Sequence, residues 1–305
     1  MMKPQTQAGC QLSVIVVFYN MRREAHRTLF SLTRAYQQNT DNLTYEVIVI
    51  DSGSTEPLDK AWVEGLGENF RYIYFDAKFP SPCAALNYGV QIAHGDYVMI
   101  CIDGARILSP GILHYAMLAS KIYPDPFIYT LGMHLGTKVQ YHLVEEGYSQ
   151  ADEDVLIRSV DWEKDGYLLF DISTLAASGR NGYFSTPRES NCFMMLRSTY
   201  QRMGGFNEKF QSPGGGIANP DFFNRANALD NVSPIMLFGE ATFHQFHGGV
   251  ATNTSLKERA WVKRRKEYEL IYGKAYEPCT ISPIFFGSMH EKCARFITIS
   301  PAGNE

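Results

Sequence analysis

Four runs of uninterrupted apolar residues constrain this chain more than any other feature: LSVIVVF at 12–18, YEVIVID at 45–51, RYIYF at 71–75 and YVMICID at 97–103. A strand with one face in water alternates apolar and polar side chains, so runs without alternation require burial on both faces. Between them lie stretches with helical spacing. MRREAHRTLFSLTRAYQQ places Leu29, Leu32 and Tyr36 on one side, and a second helix is expected from about Cys83 to Ala93. Strands alternating with helices predict an α/β fold, a Rossmann-like, mostly parallel sheet flanked by helices. Ligands of such sheets bind beyond the carboxyl ends of the strands, where two of these runs deliver an aspartate, Asp51 and Asp103.

The second half is less regular. CFMMLRSTYQRMGGFNE reads as a strand, a short helix from about Ser198 and a glycine stop at Gly204 and Gly205. DFFNRANAL reads as a helix, IMLFG at 235–239 as a short strand leading into TFHQFHGG, and LKERAWVKRRKEYELIYG as a basic helix. Neither repeat nor linker interrupts the 305 residues, which favours a single elaborated domain. A formal charge of -4 argues against nonspecific nucleic-acid binding, so any phosphate partner needs a local basic patch. No run reaches the roughly 18 apolar residues of a membrane helix. The six cysteines form no Cys-x-x-Cys, and Cys101 lies inside an apolar run, where a reduced, packed thiol is expected. With no leader pattern in MMKPQTQAGCQL, a cytoplasmic location is the expectation.

A dinucleotide site needs a glycine-rich turn after the first strand, and FYNMRR has no glycine. A Walker loop is also absent, and GGG at 214–216 follows no strand. The missing glycines also weigh against a nucleotidyltransferase. The segments SVIVVFYN, YEVIVIDSGST, AALNYGVQIAHGDYVMICIDGARILSPG and MGGFNE, in this order and spacing from about residue 12 to 210, resemble the family 2 inverting glycosyltransferases with the A-type nucleotide-sugar-binding fold. The resemblance implies a tail at 1–11, a nucleotide-sugar-binding half at 12–140, an acceptor-binding and catalytic half at 141–275 and a C-terminal extension at 276–305. It also implies an enzyme that moves a sugar from a nucleoside diphosphate sugar to a hydroxyl of a glycan or lipid-linked acceptor. The expected setting is polysaccharide or glycoconjugate biosynthesis.

The resemblance assigns Phe18, Tyr19, Asp51 and Ser52 to the nucleotide floor, and Asp103, Gly104 and Ala105 to the family's Asp-x-Asp turn. There a divalent cation, Mn2+ or Mg2+, neutralises the diphosphate leaving group. Ala105 stands where the second acid is expected, so other ligands are needed, and His244 and His247 are the candidates, with His247 first because glycines follow it. Imidazole suits manganese better than magnesium. The alternative for Asp103 is a turn acid, and for the histidines a structural role. The acid pair that supplies the family's base reads Ala218 and Asn219 here, which leaves Asp221, or Glu189 in PRESN. Asp221 is also placed to cap a helix, and Glu189 to bind the acceptor. Leu86 replaces an arginine common in relatives, so the diphosphate's positive charge is expected from Lys257, Arg259, Lys263, Arg264, Arg265 and Lys266 of the basic helix. That helix is alternatively a solvated face or a contact with the inner membrane surface. Trp261 and Tyr268, seven apart, predict one packed side. Ala105 and Asn219 together raise the rival reading of a scaffold that binds nucleotide sugars without turnover.

Overall fold

The computed structural model describes residues 9–249 and 257–297, with backbone alone over 257–261. In chain order the elements are β1 (Leu12–Phe18), α1 (Arg22–Phe30), β2 (Tyr45–Ser52), α2 (Lys60–Glu64), β3 (Phe70–Phe75), α3 (Cys83–Gln91), β4 (Tyr97–Cys101), β5 (Arg106–Leu108) and α4 (Ile112–Ile122). There follow β6 (Pro126–Leu135), α5 (Gln140–Glu145), α6 (Gln150–Arg158), β7 (Ser173–Leu175), β8 (Cys192–Leu196), α7 (Arg197–Arg202), α8 (Ala218–Asn227), β9 (Ser233–His244), α9 (Lys257–Tyr272) and β10 (Ile284–Gly287).

One ten-stranded sheet runs β10-β9-β6-β8-β4-β1-β2-β3, with β5 paired to β9 and β7 to β6. The pairs β1/β2, β1/β4 and β2/β3 are parallel, as the four apolar runs require. Alternate residues of β1 enter two different cores: Ile15 and Val17 pack on one face, Val14, Val16 and Phe18 on the other. That double burial is why the run does not alternate. Strand order reverses at β1, with β2 on one side and β4 on the other, the arrangement in which ligands of such sheets bind beyond the strands' carboxyl ends.

The second half departs from the purely parallel expectation, because β8 enters antiparallel between β4 and β6. The sequence reading passed over β6, whose run PFIYTLGMHL carries Thr130, Gly132 and His134 at every second position. Phe127, Tyr129, Leu131, Met133 and Leu135 fill the core on one face. The opposite face looks towards the site. A Cβ on Gly132 would lie 3.4 Å from the guanidinium of Arg106, and the His134 and His244 rings are 5.4 Å apart.

Strand β9 is longer than the expected 235–239 and ends on His244, while β10 joins the sheet edge from within the 276–305 extension. Helix α8 starts at Ala218, earlier than expected, so Asp221 lies in its first turn rather than at its cap. All six cysteines are free, and Cys101 is buried with its sulfur 3.8 Å from that of Cys192. Among the described residues, no helix is long and apolar enough to cross a membrane.

Candidate active site

The turn after β4 is built to hold one carboxylate. Gly104 donates its N–H to the Val17 carbonyl at 2.8 Å, and its own carbonyl accepts from Thr28 Oγ1 at 2.7 Å. These bonds press the backbone onto the Phe18 ring, where a Cβ on Gly104 would stand 2.3 Å from Cδ1, so only glycine fits. Asp103 Oδ1 accepts from the Ala105 N–H at 3.0 Å, which is the turn role, and Oδ2 is left for other partners. Ala105 is fully buried, and its carbonyl accepts from Gln245 N at 2.8 Å.

Oδ2 lies 3.0 Å from His244 Nε2 and 3.8 Å from His247 Nε2. One ligand atom from each of Asp103, His244 and His247 falls within 4.8 Å of the others, a spacing suited to a metal ion. Strand register explains the convergence: β5 and β9 pair Arg106 with His244, and β6 and β9 pair His134 with His244.

Hydrogen bonding fixes the tautomer of His244. Gln140, fully buried, donates its Nε2 to the His244 carbonyl at 2.9 Å, so its amide oxygen must be the atom 2.6 Å from His244 Nδ1. Nδ1 therefore carries the proton, and neutral His244 turns a lone pair on Nε2 towards Asp103 Oδ2. Two acceptors facing each other at 3.0 Å repel unless a cation lies between them. Burial, reinforced by the Arg106 cation, pushes His244 down to about 4, so a proton does not fill that place at neutral pH. Burial works to raise the Asp103 carboxyl, but His247, His244 and Arg106 outweigh it, and the group stays ionised well below the usual carboxylate range. A carboxylate and two imidazoles form a donor set that fits a borderline divalent ion.

The segment beyond β9 is held from α1 and α6. Phe246 N donates to Glu153 Oε2 at 2.7 Å, and its carbonyl accepts from Arg23 at 3.1 Å, so the peptide preceding His247 is gripped on both sides. Arg23 also donates to Glu24 and Asp154, at 2.7 and 2.6 Å. Gln245 Nε2 donates to Thr28 Oγ1 at 3.1 Å, the same hydroxyl that holds Gly104. One helix, α1, thus ties the Asp103 turn to the histidine strand.

The two candidate bases stand in different surroundings. Glu189 accepts from Asn219 Nδ2 at 3.1 Å, and Asn219 also lies 3.3 Å from Asn191 Oδ1. Burial pushes the Glu189 carboxyl up, opposed by Arg106 and Arg264. Asp221, buried on α8, instead pairs with Arg225 at 2.9 Å, and Arg225 in turn donates to the carbonyls of Met203 and Gly205. Residues two positions apart on a helix lie about 200° apart around its axis, so Asp221 faces away from Asn219 and its partner Glu189.

At the end of β2, Asp51 is fully buried and accepts from Ser54 N at 3.2 Å and Leu58 N at 2.8 Å, so it shapes the loop after β2. Ser52 is buried at the strand end beside it, and Asn20 ties this loop to β1 through Ser54 and Thr55. Phe18 is core, whereas Tyr19 is half exposed. Leu86 is core as well.

The cation beside Asp103 is one that the sequence reading missed. Arg106 is only 5% exposed, with Nε 3.8 Å from Asp103 Oδ2. It was legible only as a basic residue three positions after the acid. From α9, Arg264 acts on Glu189, while Lys263, Arg265 and Lys266 are exposed. Tyr268 packs on Phe210 and Tyr276, as expected of that side. The side chains of Lys257, Arg259 and Trp261 lie outside the described residues.

Residues 13–119 match the family model described as Glycosyl transferase family 2, and they span β1 to most of α4, including Asp103. No curated protein matches the chain. Among solved structures, the fold is similar to S. aureus TarS 1-349 in complex with UDP-GlcNAc, at 12% identity and a TM-score of 0.52, over 85% of this chain and 66% of that one. The TarS 1-349 complex with UDP aligns at 12% identity and 0.50, over 88% of this chain and 67% of that one. S. aureus TarS itself aligns at 13% and 0.51 over 86% of this chain, which spans 40% of the TarS chain. The family match over residues 13–119, set in this sheet, together with the likeness to TarS, supports the A-type glycosyltransferase fold for this chain.

Proposed function

We propose that the chain transfers a sugar from a nucleoside diphosphate sugar to a hydroxyl of a glycan or lipid-linked acceptor, with inversion at the anomeric carbon. The observation that carries this reading is the facing pair of acceptors, Asp103 Oδ2 and His244 Nε2, at 3.0 Å. Asp103, His244 and His247 would hold a divalent ion, with Mn2+ preferred over Mg2+ by the imidazoles. Such an ion neutralises charge developing on a diphosphate leaving group. The TarS structures similar in fold contain UDP and UDP-GlcNAc, which supports a donor of this class.

Glu189 is the base in this reading. It takes the proton of the acceptor hydroxyl as that oxygen bonds to the anomeric carbon and the bond from that carbon to the diphosphate oxygen breaks. Burial raises its carboxyl above the ordinary range, which suits a group that must accept a proton, and Asn219 orients it. Asp221 anchors α8 through Arg225. A glycoconjugate pathway with a lipid-linked acceptor fits the exposed Val262, Lys263, Arg265, Lys266 and Leu270 of α9, which would rest on an anionic inner membrane face.

The test is calorimetric titration with UDP, GDP, dTDP and CDP, each with Mn2+ and with EDTA. Binding of one diphosphate that requires Mn2+ is the expected result. Equal binding in EDTA would remove the metal from the proposal, and no binding at all would overturn the transferase reading in favour of a non-catalytic role.

A further inference from the structure

Arg106 poses a problem that the site as described does not solve. It is buried, yet neither its Nε nor its NH1 has a hydrogen-bond partner. Its Nε is too far from Asp103 Oδ2, at 3.8 Å, for a hydrogen bond. A buried cation with two unused donors is costly unless a ligand supplies acceptors.

Its position says which part of a ligand would do so. In an inverting displacement, the diphosphate oxygen and the acceptor oxygen lie on opposite sides of the anomeric carbon, so the transferred sugar sits between the metal-binding carboxylate and the base. Arg106 stands beside Asp103, with Nε 3.8 Å from Oδ2, and Gly132 lies next to both Arg106 and Asn191, which leads through Asn219 to Glu189. Gly132 adjoins both side chains: a Cβ there would stand in ordinary contact, 3.4 Å from NH1 and 3.9 Å from Asn191 Nδ2. Asn191 and Glu189 in turn share Asn219.

The same interval holds an unused acceptor. Asn219 gives its Nδ2 to Glu189 and Asn191, which leaves its buried Oδ1 without a partner. Unused donors on one wall and an unused acceptor on another match a group that both accepts and donates. A hydroxyl does both; a carboxylate only accepts, and it would also meet the charges of Asp103 and Glu189.

We propose that Arg106, with Asn219, is the specificity-determining contact for the transferred sugar, and that it takes a neutral ring hydroxyl. The Nε and NH1 groups donate to hydroxyl oxygens of the donor sugar, and Asn219 Oδ1 accepts a hydroxyl proton. This assignment rests on the proposed donor class and on Glu189 as base.

The experiment compares the bare nucleoside diphosphate selected by the titration above with its glucose, galactose, N-acetylglucosamine and glucuronate derivatives, on the native protein and on Arg106→Lys. Lysine keeps the charge and loses the directed donors. The expected result is that the best nucleotide sugar weakens about tenfold or more in the variant, as for one or two lost hydrogen bonds, while the bare diphosphate stays within about twofold. Unchanged binding of the sugar derivative would make Arg106 a mere counter-ion, and an equal loss for the bare diphosphate would make it a phosphate contact; either overturns the inference. If the variant does not fold, singly deoxygenated donor sugars on the native protein serve instead. Loss of affinity at one or two ring positions is then expected, and indifference at every position would refute the contact. A preference for glucuronate would refute the neutral hydroxyl. Failure of the native protein to bind any diphosphate would instead sink the underlying reading.

Discussion

Replacing Gln140 with methionine separates a structural histidine from a metal-binding one. Gln140 makes two bonds to His244: its amide oxygen accepts from Nδ1, and its Nε2 donates to the backbone carbonyl. In Gln140→Met the Nδ1 proton has no acceptor, and the favoured tautomer moves the proton to Nε2, where Asp103 Oδ2 accepts it at 3.0 Å. The metal-free variant thus loses two buried pairings, at Nδ1 and at the carbonyl, and regains one at Nε2, so its net loss of stability is about 1–3 kcal/mol. Metal binding has no such compensation. The lone pair now points away from the site, and loss of an orienting partner of a ligating histidine typically costs ten- to a hundredfold in metal affinity. Titration of Mn2+ into both proteins, with denaturant unfolding in EDTA, reads both quantities. The expected result is a loss of about 1–3 kcal/mol in stability against at least tenfold in the Mn2+ dissociation constant. Equal Mn2+ affinity in a folded variant would refute the tautomer argument.

The two candidate bases give opposite outcomes. Glu189→Gln should lower turnover by about a hundredfold to ten-thousandfold with little change in melting temperature, whereas Asp221→Asn, which weakens the bond to Arg225, should cost stability and leave most of the activity. Glu153→Gln should loosen the grip on Phe246 and weaken Mn2+ binding several-fold at constant diphosphate affinity in EDTA, measured by the same titrations. Burial pushes Glu240 up to about 7 from an ordinary 4.5, against the bonds from Ser109, Tyr167 and Gly111. Its folded form favours the neutral acid, so its contribution is complete below about 4.5 and is lost as pH rises through about 7, on the order of 3 kcal/mol. Glu240→Gln should therefore flatten the fall in stability between pH 5 and pH 8 that denaturant midpoints would show in the native protein.

The parallel half of the sheet was legible because burial on both faces leaves an apolar run in β1, β2 and β4; β3, at the sheet edge, carries such a run while only partly buried, with Tyr74 exposed. Strand β6 was not, since it turns Thr130, Gly132 and His134 towards the site and so breaks that run. Asp103, His244 and His247 were named from the family resemblance together with residue type, and the structure brings them together. What spacing could not carry is orientation. Gln140 lies 104 positions from His244, and they become neighbours only because β6 pairs with β9 and α5 opens just beyond β6, with Gln140 N on His134. Arg106 read as an ordinary basic residue, because neither its burial nor its unused donors have a sequence signature. Asp51 and Asp221, aspartates at a strand end and a helix start, make bonds to their own loop and their own helix, which residue type alone did not reveal.

The central claim, that Asp103, His244 and His247 hold a divalent cation against the donor diphosphate, is tested most directly by anomalous scattering at the manganese edge from crystals grown with Mn2+ and the diphosphate that binds. The account predicts one strong peak within coordination distance, about 2.0–2.3 Å, of Asp103 Oδ2, His244 Nε2 and His247 Nε2, in contact with the diphosphate. Bound diphosphate with no peak there, or a peak that both histidines fail to reach, would contradict it.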